Sequence, residues 1–502
     1  MHNSSDILTQ IIKKRKSDIE KLGLDFGFEL PVERKRKVHP FLKSKGVILE
    51  VKRASPSKGD ICPELDAYST ALSYIQSGAR AISCLTESNY FKGSLNDLMQ
   101  VCRATDDFKK QSVAVLRKDF LLYPEEVEIS YRAGADAVLL IARILSSETL
   151  LKMAREVVRL GMSALIEIRS DDDLEKLSYI SSKVMLKNFV FGINSRDLAT
   201  FKIDLLKPCM MVNKIKSIIK KDARIIFESG VTNCECASVI GSMGFSGLLL
   251  GEAAAKNPGS RSSLVKSFTK SRKTENAVFW KNYAEACVNL SQNKKHAMIK
   301  ICGLTREKDI LLSDKLGADF TGFIFADAFP RSITHENRLK NILSCLKKIN
   351  AKRIAVIVDL DSDESKLALK LVKNKVFDAV QFHKIPYKKV SRELLSLPHY
   401  FATDSIEEYE RLVSNGEMRV LLDSKKILET GSAYKQTDAL YEIKWTAGGI
   451  NQKNIFDVIK RFSPELIDVS GGIELENETG IKDENKMKEL FIKLSLAAGS
   501  DS

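Results

Sequence analysis

Short apolar, β-branched runs recur along this chain with helix-period segments between them. In the first half they are VILEVKR (47–53), AISCLTE (81–87), VAVLRKD (113–119), AVLLIA (137–142), SALIEI (163–168), FVFGINS (189–195), RIIFESG (224–230) and GLLLGEA (247–253). Each is too short and too continuously apolar for a half-exposed antiparallel strand, whereas strands buried on both faces have this composition. The second half repeats the scheme with MIKICG (298–303), FTGFIFA (320–326), RIAVIVD (353–359), AVQFHK (379–384), YFAT (400–403), RVLLDS (419–424), KWTAGG (444–449) and LIDVSGG (466–472). Strand–helix alternation implies right-handed βαβ units. Eight strands, twice over, predict an α/β chain of two consecutive (β/α)8 TIM barrels. The 502 residues suit two barrels of about 250 each. A doubly wound open sheet would want a glycine-rich nucleotide fingerprint, and neither GxGxxG nor GxxxxGK[ST] follows either first strand.

The expected domains are a first barrel over 1–272, a basic helical linker over 273–297 and a second barrel over 298–502. The linker carries Phe279, Trp280 and Tyr283, aromatics expected to pack on a barrel. The first 22 residues read as an amphipathic helix without the apolar core of a signal peptide. The tail AAGSDS is expected to fray. No apolar run approaches the roughly 18 residues of a membrane span, so no membrane association is expected.

Composition changes this picture little, and charge more. The formal net charge is +14. Lys and Arg are scattered through helical stretches such as 211–222 and 339–352, without a nucleic-acid-binding motif. A lysine-rich solvated surface or sites for anionic small substrates therefore explain the excess better than nucleic acid does. Nine cysteines, an odd number without a CxxC pair, suit a reducing cytoplasm. Cys234 and Cys236 have no histidine nearby, so no metal is expected there.

In a barrel, chemistry collects at the C-terminal ends of the strands. There the first half places Glu50 and Lys52, Lys118 and Asp119, Glu167, Asn194 and Arg196, and Glu228 and Ser229. Charges in so crowded a mouth are costly unless paired, and a Lys–Glu cluster suits proton transfer. Strands seven and eight end in glycine turns in both halves: ESG (228–230) and GE (251–252), then AGG (447–449) and SGG (470–472). Barrels commonly bind phosphate at such turns through backbone N–H groups. Each barrel is thus expected to take a small phosphorylated substrate. The second half has its own polar set: Cys302 ending strand one, Asp423 ending strand six, and Arg331 after strand two. A thiolate and a carboxylic acid across a barrel mouth can move a proton between two substrate carbons.

At these residues the chain resembles two known families. VILEVKRASPSKGD (47–60), TESNYFKGSL (86–95), RKDF (117–120), GINSRDL (192–198) and FESG (227–230) resemble indole-3-glycerol phosphate synthases, over roughly 5–270. KICGLTREKD (300–309), FPRS (329–332), VQFH (380–383), LLDS (421–424), AGGI (447–450), DVSGGIE (468–474) and GIKD (480–483) resemble phosphoribosylanthranilate isomerases, over about 298–495. The resemblance implies a cofactor-free, cytoplasmic, monomeric enzyme for two consecutive steps of tryptophan biosynthesis. In the first barrel it implies Lys118 as general acid and Glu167 as its acid/base partner. Lys52 would sit near the departing carboxylate, with Glu50, Asn194, Glu228 and Ser229 positioning. Arg196, Ser55, Gly230 and Gly251 would stand at the phosphate end, and Phe91 and Phe120 would seat the aromatic ring. In the second barrel it implies Asp423 as general acid, Cys302 as general base and Arg331 on the anthranilate carboxylate. Gly448, Gly449, Ser470 and Gly471 would bind phosphate, and His383 the substrate. Three positions depart from the family pattern: Lys384 replaces a usual Gly, Ser195 a common Asn, and 429–440 lacks the usual aromatics. The alternative is a second barrel that has lost catalysis and serves as a structural module.

Overall fold

The structure, a computed structural model, describes residues 7–56, 59–197, 200, 202–219, 223–292, 297–335, 338–424 and 442–497. The chain divides into two compact units, Met1–Arg272 and Lys273–Ser502.

The first unit is a closed parallel barrel. Its strands are β1 (Gly46–Val51), β2 (Ala81–Leu85), β3 (Ala114–Lys118), β4 (Ala137–Ile141), β5 (Ser163–Glu167), β6 (Phe189–Asn194), β7 (Ile225–Glu228) and β8 (Gly247–Leu250). Strand β8 closes on β1 from Gly46↔Gly247 to Leu49↔Leu250. Ile48, Leu116, Leu139, Leu165, Val190, Ile226 and Leu249 fill the interior, the branched packing that makes such a barrel a core and not a pore. The helices include α1 (Ile7–Leu22), α2 (Ala67–Gln76), α3 (Leu95–Asp107), α4 (Glu125–Arg132), α5 (Ser147–Arg159) and α6 (Asp171–Ser181). After them come α7 (Lys207–Ile219), α8 (Cys234–Ser242), α9 (Glu252–Lys256) and α10 (Arg261–Thr269). Several start where the sequence supplies an oxygen cap. The Ser146 side chain accepts from Thr149 N, Asn233 accepts from Cys236 N, and Ser170 with Asp173 forms a reciprocal capping box.

Helix α1 is tied to the loops at the C-terminal ends of β2 and β3. Arg15 is buried and donates to Asp119 at 2.6 Å and, by a shorter contact, to Glu126. Arg117 is fully buried and reaches Asp119 at 3.1 Å and Ser130 at 3.1 Å. Asp119 therefore belongs to this structural network. Strand alternation explains why: Lys118 turns toward the barrel axis while Arg117 and Asp119 turn away from it.

The second unit repeats the architecture. Its strands are β9 (Met298–Cys302), β10 (Phe320–Ile324), β11 (Lys352–Ile357), β12 (Ala379–His383), β13 (His399–Thr403), β14 (Val420–Asp423), β15 (Trp445–Ala447) and β16 (Leu466–Val469). Strand β16 closes on β9 from Met298↔Leu466 to Ile301↔Val469. Each of the sixteen runs expected as strands overlaps one barrel strand. The described helices are α11 (Glu275–Gln292), α12 (Glu307–Leu316), α13 (Arg338–Cys345), α14 (Asp363–Lys373), α15 (Arg392–Leu395), α16 (Ile406–Ser414), α17 (Ile455–Phe462) and α18 (Glu484–Ala497). Helix α18 runs through Ala497, so the first residue of the expected frayed tail is helical; 498–502 lie outside the described residues. No helix among the described residues is long and apolar enough to cross a membrane.

The segment 273–297, expected as a linker, falls within the second unit, and its helix α11 stops the N-terminal end of that barrel. Trp280, Tyr283 and Ala284 are buried. The Trp280 ring lies 5.6 Å from that of Trp445, the first residue of β15. Tyr283 lies 6.2 Å from Phe320, the first residue of β10, and its hydroxyl accepts from Trp445 Nε1 at 2.7 Å. The aromatic content of 273–297 makes it part of a core. Both tryptophans of the chain sit in this cluster, so indole fluorescence reports the second unit alone. Trp280→Ala is expected to destabilise that unit by about 3–5 kcal/mol, read as an earlier fluorescence midpoint in urea. An unchanged midpoint would show that α11 does not stopper the barrel.

Candidate active sites

In the first unit, four strand ends deliver ionisable side chains to one mouth. Glu50, Lys118, Glu167 and Glu228 come from β1, β3, β5 and β7, and Lys52 follows β1. All three carboxylates are buried. Lys52 Nζ stands 2.7 Å from Glu50 Oε1, and Lys118 Nζ stands 3.7 Å from Glu50 Oε2. Burial alone would drive the Lys118 ammonium toward neutrality. The fields of Glu50, Glu228 and Glu167 outweigh it and hold its pKa above the usual lysine value. Glu50 goes the other way: burial raises it, but the two lysines bring its carboxyl below the ordinary range. Glu228 has no such pair. Burial, reinforced by neighbouring Glu167, pushes it up to about 8, and its Oε1 has no hydrogen-bond partner among the described residues. Burial also raises Glu167, against the pull of Lys118 and Arg169 and a bond from Asn194. The mouth thus holds a charged lysine, one ionised carboxylate and two carboxyls poised to hold protons. This is a donor–acceptor set for acid–base work near neutrality.

Glycines make room for the cluster. A Cβ at Gly192 on β6 would stand 1.9 Å from Glu228 Oε1. One at Gly251 would stand 2.6 Å from Glu50 Oε1 and 2.7 Å from Lys52 Nζ, so Gly251 borders the ion pair. Ser229 and Gly230 both have positive φ, 68° and 77°, and the Ser229 carbonyl accepts from Ser195 Oγ at 3.0 Å. Ser195, at the position where the family commonly has Asn, thereby braces this turn. Asn194 Oδ1 accepts from Arg196 N at 3.0 Å, and Arg169 Nη1 donates to the Arg196 carbonyl at 2.5 Å. Ser55 lies in a two-residue hairpin with Gly59 beyond β1. The rings of Phe91 and Phe120 lie 6.1 Å apart. The Phe91 loop is held by Glu87, whose carboxylate accepts from the backbone of Asn89, Tyr90 and Phe91 at 2.9, 2.8 and 3.0 Å.

In the second unit, Cys302 ends β9 and Asp423 ends β14. Burial raises both above their usual values. A raised Asp423 suits a proton donor, whereas a raised Cys302 rests as the thiol, and the cation next to it matters. Lys300, fully buried two residues before Cys302, donates to Asp468 Oδ2 and to Gln381 Oε1, both at 2.6 Å. Tyr400 also donates to Gln381 Oε1, at 2.9 Å. His383 Nδ1 meets Gln381 Nε2 at 3.1 Å. Burial, with Lys300 and Lys384, pulls His383 down to about 4, so it is a neutral hydrogen-bonding group.

Arg331 sits beside the SGG turn: a Cβ on Gly471 would lie 3.1 Å from its Nη2. Its fork is already engaged, Nε to Glu474 Oε1 at 2.8 Å and Nη2 to Glu474 Oε2 at 2.7 Å. Buried Lys482 joins them, donating to Glu474 Oε1 at 3.0 Å and to the Ser470 carbonyl at 3.1 Å. Gly448 and Gly449 have φ of 103° and 73°. A Cβ on Gly472 would strike the Ile450 carbonyl at 2.0 Å, so the AGG and SGG turns meet backbone to backbone. Lys384 takes φ 55°, the left-handed region, which accounts for the usual glycine there, and its Nζ pairs with Asp404 at 2.6 Å. Residues 429–440 lie outside the described residues.

Lys300, Gln381, Tyr400, Asp468, Glu474 and Lys482 were not singled out in the sequence, although a signal was there. Lys300, Gln381 and Asp468 each stand two residues before a residue that was, and strand alternation turns i and i+2 to the same side.

Residues 8–266 match the family described as indole-3-glycerol phosphate synthase, and 299–493 match N-(5'phosphoribosyl)anthranilate (PRA) isomerase. A multifunctional tryptophan biosynthesis protein of Schizosaccharomyces pombe is 28% identical over 87% of this chain and 58% of its own length. Another, from Phycomyces blakesleeanus, is 25% identical over 88% of this chain and 61% of its own length. The chain thus spans about three fifths of each of these curated relatives. The indole-3-glycerol phosphate synthase of Desulfosudis oleivorans is 36% identical over 50% of this chain and 94% of that protein.

Two outcomes test this geometry. Glu228 ionises near 4.5 when unfolded and near 8 when folded, so the folded state holds an extra proton between those values. Its contribution to stability is full below about 4.5 and lost as pH rises through 8. Glu228→Gln is therefore expected to flatten the fall in calorimetric stability of the first unit over that window, by up to about 5 kcal/mol. An unaltered slope would place the titration elsewhere. At the left-handed position, Lys384→Gly is expected to be more stable than Lys384→Ala by about 1 kcal/mol, read by fluorescence in urea. Equal stability would show that the backbone relaxes there.

Proposed function

Because the chain belongs to the indole-3-glycerol phosphate synthase family and carries a phosphoribosylanthranilate isomerase domain behind it, we propose that it catalyses two consecutive steps of tryptophan biosynthesis. The second barrel converts N-(5-phosphoribosyl)anthranilate to 1-(2-carboxyphenylamino)-1-deoxyribulose 5-phosphate. The first barrel closes, decarboxylates and dehydrates that product to indole-3-glycerol phosphate. The observation that carries the reading is Lys118, half-buried and kept charged among three carboxylates of which two favour their protonated forms.

In the isomerase step Asp423 protonates the furanose ring oxygen and the sugar opens to an iminium. Cys302, as thiolate, takes the proton from the second sugar carbon; the C–H electron pair neutralises the iminium, and the enolamine becomes the ketone. The Arg331 fork, steadied by Glu474, offers its remaining Nη1 to the anthranilate carboxylate. The meeting glycine turns with Ser470 and Gly471 offer backbone N–H groups to the phosphate. In the synthase step the ring carbon bearing the carboxylate attacks the ketone carbon while Lys118 protonates its oxygen. Carbon dioxide leaves, its bonding pair returning to the ring, and Glu167 assists loss of water. Lys52, paired with Glu50, holds the departing carboxylate. Phe91 and Phe120 seat the ring, and Arg196 with Ser55, Gly230 and Gly251 faces the phosphate end. No cofactor is required, because the electrons of the breaking C–C bond have an acceptor within the substrate. Retention of both Cys302 and Asp423 at strand ends speaks for an active second barrel over a structural module. Each site draws on side chains of a single unit, which supports a monomer, acting on small phosphorylated molecules in the cytoplasm.

The test is conversion of N-(5-phosphoribosyl)anthranilate by the purified chain without added cofactor, following loss of anthranilate-type fluorescence and gain of the indole product. Lys118→Ala is expected to stop the sequence at the carboxyphenylamino intermediate, with at least a 100-fold loss of synthase rate. Cys302→Ala is expected to abolish isomerisation while leaving turnover of the added intermediate intact. If wild type converts neither substrate, the reading fails.

A further inference from the structure

We propose that Lys300 is a positioning residue of the second barrel's site: its ammonium, clamped by Asp468 and Gln381, is fixed beside the Cys302 sulfur and makes the thiolate accessible at neutral pH. The inference rests on the isomerase reading of that barrel and adds to it a residue that does not touch substrate. Lys300 and Cys302 stand at i and i+2 of β9, so both turn into the barrel. Gly322 on adjacent β10 leaves the space they share: a Cβ there would stand 2.6 Å from Cys302 Sγ and 2.9 Å from Lys300 Cε. The clamp is rigid on the scale of the chemistry. Lys300 has no exposure, donates at 2.6 Å to each of two acceptors, and lies 5.9 Å over the Tyr400 ring, whose hydroxyl shares Gln381.

A buried ion pair inside a barrel is weak evidence for stability, since apolar residues of like volume commonly serve as well. Here the cation has other work. A buried thiol resists ionisation, and a neighbouring cation is the usual remedy. The charged and titratable groups around Cys302 come from several elements: Asp468 on β16, Lys482 on the hairpin after it, and Arg331 after β10. Beyond them His383 and Asp423 act on the Lys300–Asp468 pair. Among the groups favouring the thiolate, Lys300 has the largest effect. Asp468 opposes it, and its Oδ1 has no partner among the described residues.

The experiment is the pH profile of isomerase kcat/KM in the full chain. It compares wild type, Lys300→Met, the charge-free pair Lys300→Met with Asp468→Asn, and Gln381→Leu, which loosens the clamp and keeps the ion pair. Alkylation of Cys302 by iodoacetamide, followed at its peptide by mass spectrometry, is read against pH in parallel. Lys300→Met is expected to move the acid limb and the alkylation midpoint up by about one pH unit or more, hence about tenfold in rate at pH 7. Activity should return toward wild type in alkaline buffer. The pair variant is expected to shift both midpoints upward by less, since Asp468→Asn also removes the carboxylate that opposes the thiolate, and Gln381→Leu to shift them by a smaller fraction still. A loss that is uniform across pH with an unmoved midpoint would overturn the inference and leave Lys300 a packing residue. If fluorescence shows the methionine variants unfolded, an unmoved midpoint in Gln381→Leu overturns it equally. Wild-type isomerisation, abolished by Cys302→Ala, is the control: its absence sinks the isomerase reading itself, and its presence confines any failure to Lys300.

Discussion

Closing eight parallel strands on themselves aims every second side chain at one small space, and the rest of this structure depends on that constraint. Inside the barrel the space is filled by branched apolar groups such as Leu116, Leu165 and Ile226. At the C-terminal ends it is filled by whatever the last inward residue is. In the first unit those residues are Glu50, Lys118, Glu167 and Glu228, and they have nowhere to go but toward one another. Their pKa values diverge because their partners differ while their burial is alike. Glu50 has two lysines, Glu228 has a like-charged neighbour, and Lys118 stands among all three carboxylates.

The same constraint gives a different result in the second unit because a cation is set one layer deeper. Lys300 lies inside the barrel, where a charge without partners would be prohibitive, and Asp468 and Gln381 complete it. The polar core reaches the mouth at Cys302 and at His383, so the rim groups sense a buried charge. In the first unit the carboxylates and the lysine meet directly at the rim. The two barrels thus reach acid–base competence by different placements of one ion pair.

Glycine acts here chiefly by what it leaves empty. Gly192 clears Glu228, Gly251 clears the Glu50–Lys52 pair, and Gly322 clears Cys302 and Lys300. A methyl at any of these would displace an ionisable group, which makes them parts of the sites although they carry no functional atom. The turn at Gly448–Gly449 has positive φ, and it meets the turn at Gly471–Gly472 where Gly472 lies against the Ile450 carbonyl. Lys384 shows the converse, a residue holding a left-handed position beside an ion pair to Asp404.

The strand pattern and the strand-end residues were legible in the chain itself. Parallel strands buried on both faces must be short and apolar, and polar residues interrupting that pattern at strand ends must be either paired or functional, which singled out Lys118, Glu167, Cys302 and Asp423. The motifs around them carried the family. What the linear order could not hold was partnership across strands. That Asp119 answers to Arg15 on α1, that Arg331 is gripped by Glu474, that Lys300 joins Asp468, and that Trp280 and Tyr283 stopper a barrel are facts of closure. Residues on the order of a hundred positions apart meet only when the sheet completes its circle. The sequence specifies which side chains face inward, through its period of two; only the tertiary structure decides which of them touch, because contact distance and burial set charge states and neither exists along the chain.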